Sequence, residues 1–140
     1  MIIYFDASVL VSMIIVDVNS PRVGRWYESL SASVIISDLA NLEVSAVISR
    51  EFRTRRYTRP QADKAVREFD ALRAESDRIT HGPRDFALAE LLVRDYSTKL
   101  SAPDALHLAS AKNAGAMLAT LDARLADAAR AQGVGVAPMG

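Results

Sequence analysis

The run Ile2-Ile3-Tyr4-Phe5, stopped by Asp6, constrains this chain more than any other feature. It is too short for a helix and shows no alternation, which is the pattern of a strand buried on both faces. Val34-Ile35-Ile36 and Ala116–Thr120 repeat the pattern, and Asp77–Thr80, though polar, reads as a further short strand before the Gly82-Pro83 break. Helix-length segments separate these runs. Covered strands alternating with helices predict an α/β fold with a central, mainly parallel sheet.

The helices announce themselves at their ends. Ser20-Pro21 puts a cap before a proline in the first turn and opens a helix to about Leu30. Ser37-Asp38 caps a second from about Leu39 to Phe52, and Pro60 leads a third with Ala62, Val66, Phe69 and Leu72 at helical spacing. Beyond the Gly82-Pro83 break, residues 84 to about 96 are helical, and Pro103 opens a helix that ends at Gly115. Residues 122–132 form the last helix and Val134–Ala137 a final strand. The gaps between strands often hold two helices, so a plain doubly wound repeat is not expected. With no repeat, linker or low-complexity tract, residues 1–140 read as one domain.

Composition narrows the chemistry. Half of the residues are hydrophobic and only 6% aromatic, which suits helices packed on a sheet. There is no cysteine, so disulfides, cysteine-based zinc sites and thiol catalysis are excluded. The 17 basic and 17 acidic residues cancel, so any surface for phosphates has to be local. The start lacks a basic leader region, and the stretch Val9–Val16 is too short to span a bilayer. A cytoplasmic protein without a membrane segment is expected.

Four acids stand out. Ligand sites in open parallel sheets form beyond the carboxyl ends of the strands. Asp6 ends the first strand and Asp122 follows the Ala116–Thr120 strand, so the two could meet at one edge. Glu43 falls within an apolar stripe of Leu39, Leu42, Ala46 and Val47, where an unpartnered carboxylate is costly. A competing stripe of Ala40, Val44, Val47 and Ile48 would turn it outward. Asp104 opens the nearly apolar helix Ala102–Ala109. Singly, each acid has a structural explanation. Asp6 could cap a helix, and Asp104 and Asp122 at helix starts gain about 0.3–1 kcal/mol from the dipole. Together they would need a cation, and with only two histidines the donors are hard oxygens suited to Mg²⁺ or Mn²⁺ and to phosphoryl chemistry.

Four segments carry a resemblance: Phe5-Asp6-Ala7-Ser8-Val9-Leu10-Val11, Ser37-Asp38-Leu39 leading to Glu43, Leu100–Ala109, and Ala119-Thr120-Leu121-Asp122-Ala123-Arg124-Leu125. In order and spacing the chain resembles PIN-domain nucleases, specifically the VapC-type toxins of bacterial toxin–antitoxin pairs. The resemblance implies a PIN-like three-layer sandwich, a central mainly parallel sheet flanked by helices. It also implies Mg²⁺- or Mn²⁺-dependent endoribonuclease activity. Asp6, Glu43 and Asp104 fall on the family's core metal-binding acids and Asp122 on its variable fourth. Ser8 and Thr120 fall on hydroxyl positions that hold a water or a carboxylate. A homodimer and a cognate VapB-type antitoxin are the partners implied, besides the RNA substrate.

Other residues keep two readings. Arg50, Arg53, Arg55, Arg56 and Arg59 crowd ten positions with Glu51 as the sole acid among them. They are either an RNA phosphate clamp near the acids, with Tyr57 stacking, or a solvated helix end. His107, one turn after Asp104, is a general base or a packing histidine. His81 reads as a loop residue, and Trp26 and Tyr27 as packing or contact aromatics. A receiver-like domain and a Rossmann module lack their defining residues. The standing rivals are a catalytically silent binding module and another acid-metal phosphoesterase.

Overall fold

A computed structural model describes residues 1–139. Its strands are β1 (Ile2–Phe5), β2 (Ser33–Ser37), β3 (Asp77–Ile79) and β4 (Met117–Ala119), in the order β3-β2-β1-β4. Every pairing is parallel, with Tyr4 opposite Ile35 on one side and Leu118 on the other. Side chains alternate along a strand, so β1 feeds two cores. Ile3 and Phe5 face the layer of α1 (Ala7–Ile14), α2 (Ser20–Glu28), α3 (Asp38–Arg53) and α4 (Arg59–Ala74). Tyr4 faces the layer of α5 (Pro83–Arg94), α6 (Ala102–Asn113) and α7 (Ala123–Ala131). The result is the α/β fold with a parallel sheet expected from the strand–helix alternation, in the three-layer sandwich that the resemblance implied.

Topology places the functional edge. The chain winds from β1 outward to β2 and β3, then returns across β1 to add β4 on its other side. The carboxyl ends of β1 and β4 therefore flank the point where winding reverses, and there the connections part to leave a crevice. Entry into β4 is set by a helix stop. Gly115, at φ +66, lets its own N–H reach Lys112 O and that of Ala116 reach Ala111 O, closing α6.

Two elements differ from expectation. The segment Val134–Ala137 is a single parallel bridge, Val136 with Leu118, and not a strand. Gly135 O and the Ala137 N–H each bond to Leu118, and Pro138 then has no N–H to extend the ladder. The helix expected to run to about Tyr96 ends at Arg94, because Asp95 turns to accept the Ser97 N–H and starts a 3₁₀ turn at Tyr96–Thr98. Among the described residues no helix is long and apolar enough to cross a membrane.

Candidate active site

Asp6 follows β1 directly and is 3% exposed. Its Oδ1 accepts the Val9 N–H (3.2 Å), capping α1, and the Ser8 hydroxyl (2.6 Å); its Oδ2 accepts the Thr120 hydroxyl (2.5 Å). The same two hydroxyl oxygens accept backbone N–H groups beyond β4, Ser8 from Leu121 (2.9 Å) and Thr120 from Asp122 (3.0 Å). Ser8 and Thr120 thus stitch the end of β1 to the loop after β4. Asp122 caps α7 through one oxygen, Oδ1, which accepts the N–H groups of Arg124 and Leu125. Its other oxygen carries no bond among the described residues.

The remaining two acids arrive on helices that start at this edge. Ser37 caps α3 by accepting the Ala40 N–H (3.0 Å). Of the two stripes on α3, the one containing Ala40, Val44 and Ile48 is the buried one, and Leu42 is 68% exposed. Glu43 therefore lies beside the core stripe and keeps 31% of its side-chain surface. It does not point into solvent alone: its Oε1 lies 2.5 Å from His107 Nε2, within hydrogen-bonding distance. Asp104 sits in the first turn of α6, capped by Ser101.

Electrostatics mark Asp6 and Asp104 as strained. Burial holds the Asp6 carboxyl above its ordinary range, against the pull of its hydrogen bonds from Ser8, Thr120 and Val9. Asp104 is also raised, first by burial, then by repulsion from Asp122 and, more weakly, Glu43. None of the four pairs with lysine or arginine among the described residues. Asp38, at the end of β2, is the contrast: Arg78 grips both its oxygens (2.6 and 3.2 Å) and holds its carboxyl low.

The donor set is all hard oxygen with uncompensated charge, which fits a divalent cation of the Mg²⁺ or Mn²⁺ type. The four carboxylates share one edge of the sheet. Among the described residues no three are closed to metal-ligating distance, so binding would have to draw them together.

A pH dependence follows from the raised groups. An aspartate that holds its proton more tightly when folded makes ionisation costly, so stability is lost as pH rises above the ordinary value of 3.8. Replacing Asp104 by Asn removes its share. In EDTA the variant is expected to melt with the wild type below about pH 4 and roughly 2–4 °C above it at about pH 7, allowing for solvent screening. Equal melting temperatures across that range would show that Asp104 carries no strain.

The structure does not bring the arginines to the acids. Helix α3 runs away from the carboxyl edge, so Arg53 stands about 15 Å further along its axis than Glu43 and Arg50 about 10 Å. Arg55 forms the turn at φ +62, Arg56 pairs with Glu51 (3.3 Å) and Arg59 with Asp63 (3.0 Å). Tyr57, Trp26 and Tyr27 pack against the core, the last two on Phe5. His81 lies in the loop after β3, bonded to Ser110.

Tyr4 was missed by sequence reasoning. Its hydroxyl meets His107 Nδ1 at 2.6 Å, and burial keeps that hydroxyl protonated far above the usual phenol range. The available signal was a hydrogen-bonding tip within an otherwise aliphatic and Phe run.

Comparison with known proteins agrees with this fold. The family model described as "PIN domain" matches residues 3–131. Among curated proteins none matches. Solved structures with the same fold include VapBC2 from Rickettsia felis bound to a promoter DNA fragment (TM-score 0.74, 15% identity, 98% of each chain covered). VapC20 of Mycobacterium tuberculosis, a sarcin–ricin loop cleaving toxin, aligns with TM-score 0.72 at 21% identity over 90% of this chain and 94% of its own. A toxin–antitoxin complex from Klebsiella pneumoniae aligns with TM-score 0.64 at 20% identity over 85% of each chain.

Proposed function

This chain belongs to the PIN-domain family, and from that premise we propose that residues 1–140 form one metal-dependent endoribonuclease domain, the toxin of a type II toxin–antitoxin pair. The observation that carries the proposal is the set Asp6, Glu43, Asp104 and Asp122 at the winding-reversal edge, without a lysine or arginine partner among the described residues. Asp6 is buried and Asp104 partly so, both with carboxyls raised by burial, and keeping such acids without a lysine or arginine is expensive for a fold unless they serve a ligand.

In this reading the four acids hold Mg²⁺ or Mn²⁺, which supplies Lewis acidity and charge neutralisation at a phosphodiester. Ser8 and Thr120 lock both oxygens of Asp6 and fix its orientation. Asp122 is oriented by the α7 start, with one oxygen left over for the ion. Arg50, Arg53, Arg55 and Arg56, at the far end of α3, would hold RNA backbone remote from the cleaved bond. RNA is favoured as substrate by likeness to the sarcin–ricin loop cleaving toxin, and an antitoxin by likeness to the toxin–antitoxin complex; a homodimer rests on the family resemblance alone.

The test is incubation of the purified, antitoxin-free protein with total RNA in Mg²⁺ or Mn²⁺, and again in EDTA. Discrete fragments that disappear with EDTA are expected. A folded protein that binds Mn²⁺ and leaves all RNA intact would instead be a binding module.

A further inference from the structure

We propose that His107, braced by Tyr4, is a positioning residue that fixes the Glu43 carboxylate for cation binding. The proposal rests on the metal-dependent reading above and deepens it. Glu43 is the acid with the most freedom to lose. Asp6 and Asp122 are short side chains pinned as helix caps, whereas Glu43 is a longer, half-exposed side chain on the second turn of α3. Its one anchor among the described residues is His107.

The direction of each hydrogen bond follows from that anchor. An ionised carboxylate only accepts, so the hydrogen lies on His107 Nε2. In the neutral ring Nδ1 is then bare and accepts the Tyr4 hydroxyl (2.6 Å). Tyr4 is 0% exposed on an internal strand, and its ring meets the imidazole edge-on at 5.6 Å. A rigid line therefore runs from β1 through Tyr4 and His107 to Glu43 Oε1, while Oε2 carries no protein donor among the described residues. His107 is 1% exposed with both ring nitrogens engaged, which leaves no nitrogen for a water and removes the general-base reading. Packing alone would not require a histidine between Leu106 and Leu108. Partners that orient a ligating carboxylate typically change metal affinity about 10- to 100-fold.

The experiment titrates Mn²⁺ into purified protein and follows free Mn²⁺ by electron paramagnetic resonance, with circular dichroism to verify folding. His107→Leu is expected to bind Mn²⁺ about 10- to 100-fold more weakly, and Tyr4→Phe about threefold to tenfold. His107→Gln, whose amide can donate to Glu43 and accept from Tyr4, is expected to stay within about threefold of the wild type. Rescue by Gln separates positioning from space filling. Should His107→Leu not fold, Tyr4→Phe and His107→Gln still decide. Wild-type affinity in Tyr4→Phe, or an equal loss in Gln and Leu, overturns the positioning role alone. No Mn²⁺ binding by the wild type, or unaltered binding by Asp6→Asn, overturns the metal-dependent reading and this inference with it.

Discussion

Asp6→Asn is expected to abolish RNA cleavage while the protein melts at or above the wild-type temperature in EDTA. The loss should be on the order of 10³-fold or more in single-turnover rate, because the substitution removes one full charge from the cation site. The fold should tolerate it. Asparagine keeps an oxygen for the Ser8 hydroxyl and the Val9 N–H, and its amide can donate to Thr120 once that hydroxyl turns. Ionised Asp6 is held against the cost of burial, so removing the charge relieves strain. Asp38→Asn is the matched control, an acid at the same edge already neutralised by Arg78. Its rate is expected to stay within about twofold, as for a surface pair. A rate above about a tenth of wild type in Asp6→Asn would be too high for a metal ligand.

Phe5→Ala, one residue earlier, should do the opposite: remove the fold and, only through it, the activity. Phe5 is 0% exposed, pairs with Ile36 and Ala119 across the sheet, and stacks on Trp26 with ring centroids 5.4 Å apart. Truncation leaves a cavity between the central strand and α2, with an expected cost of about 3–5 kcal/mol. For a chain of this size that lowers the melting temperature by roughly 10–17 °C. Against a total stability of about 5–15 kcal/mol, such a variant sits near the limit of folding. A loss below about 1 kcal/mol in denaturant unfolding would mean that the aromatic cluster rearranges to fill the space. The two neighbours thus separate chemistry from architecture, one losing rate without stability and the other stability first.

Much of the architecture was legible because its signals are local. An apolar run of four residues closed by Asp6 suits a short covered strand, and Gly115 stops α6 because a left-handed residue is needed there. The parallel sheet follows, since strands separated by helices must cross over. Val134–Ala137 misled because β-branched composition announces a strand, whereas pairing depends on a neighbour, and only Leu118 was available. Glu43 stayed ambiguous for a geometric reason: two apolar stripes on α3 differ by a rotation of about 100°, one residue's turn of the helix.

The sequence by itself determined the parallel α/β class and most of its elements, the hard-oxygen character of the donor set and the four acids worth testing. Only the tertiary structure decided which face of α3 is buried, that the arginines stand at the far end of that helix, and that His107 joins Tyr4 to Glu43. The last pairings span 103 and 64 residues of chain. Periodicity reports contacts within a helix or strand. Contacts between distant segments depend on how layers stack, and that is set by the summed packing of two cores, not by any local pattern.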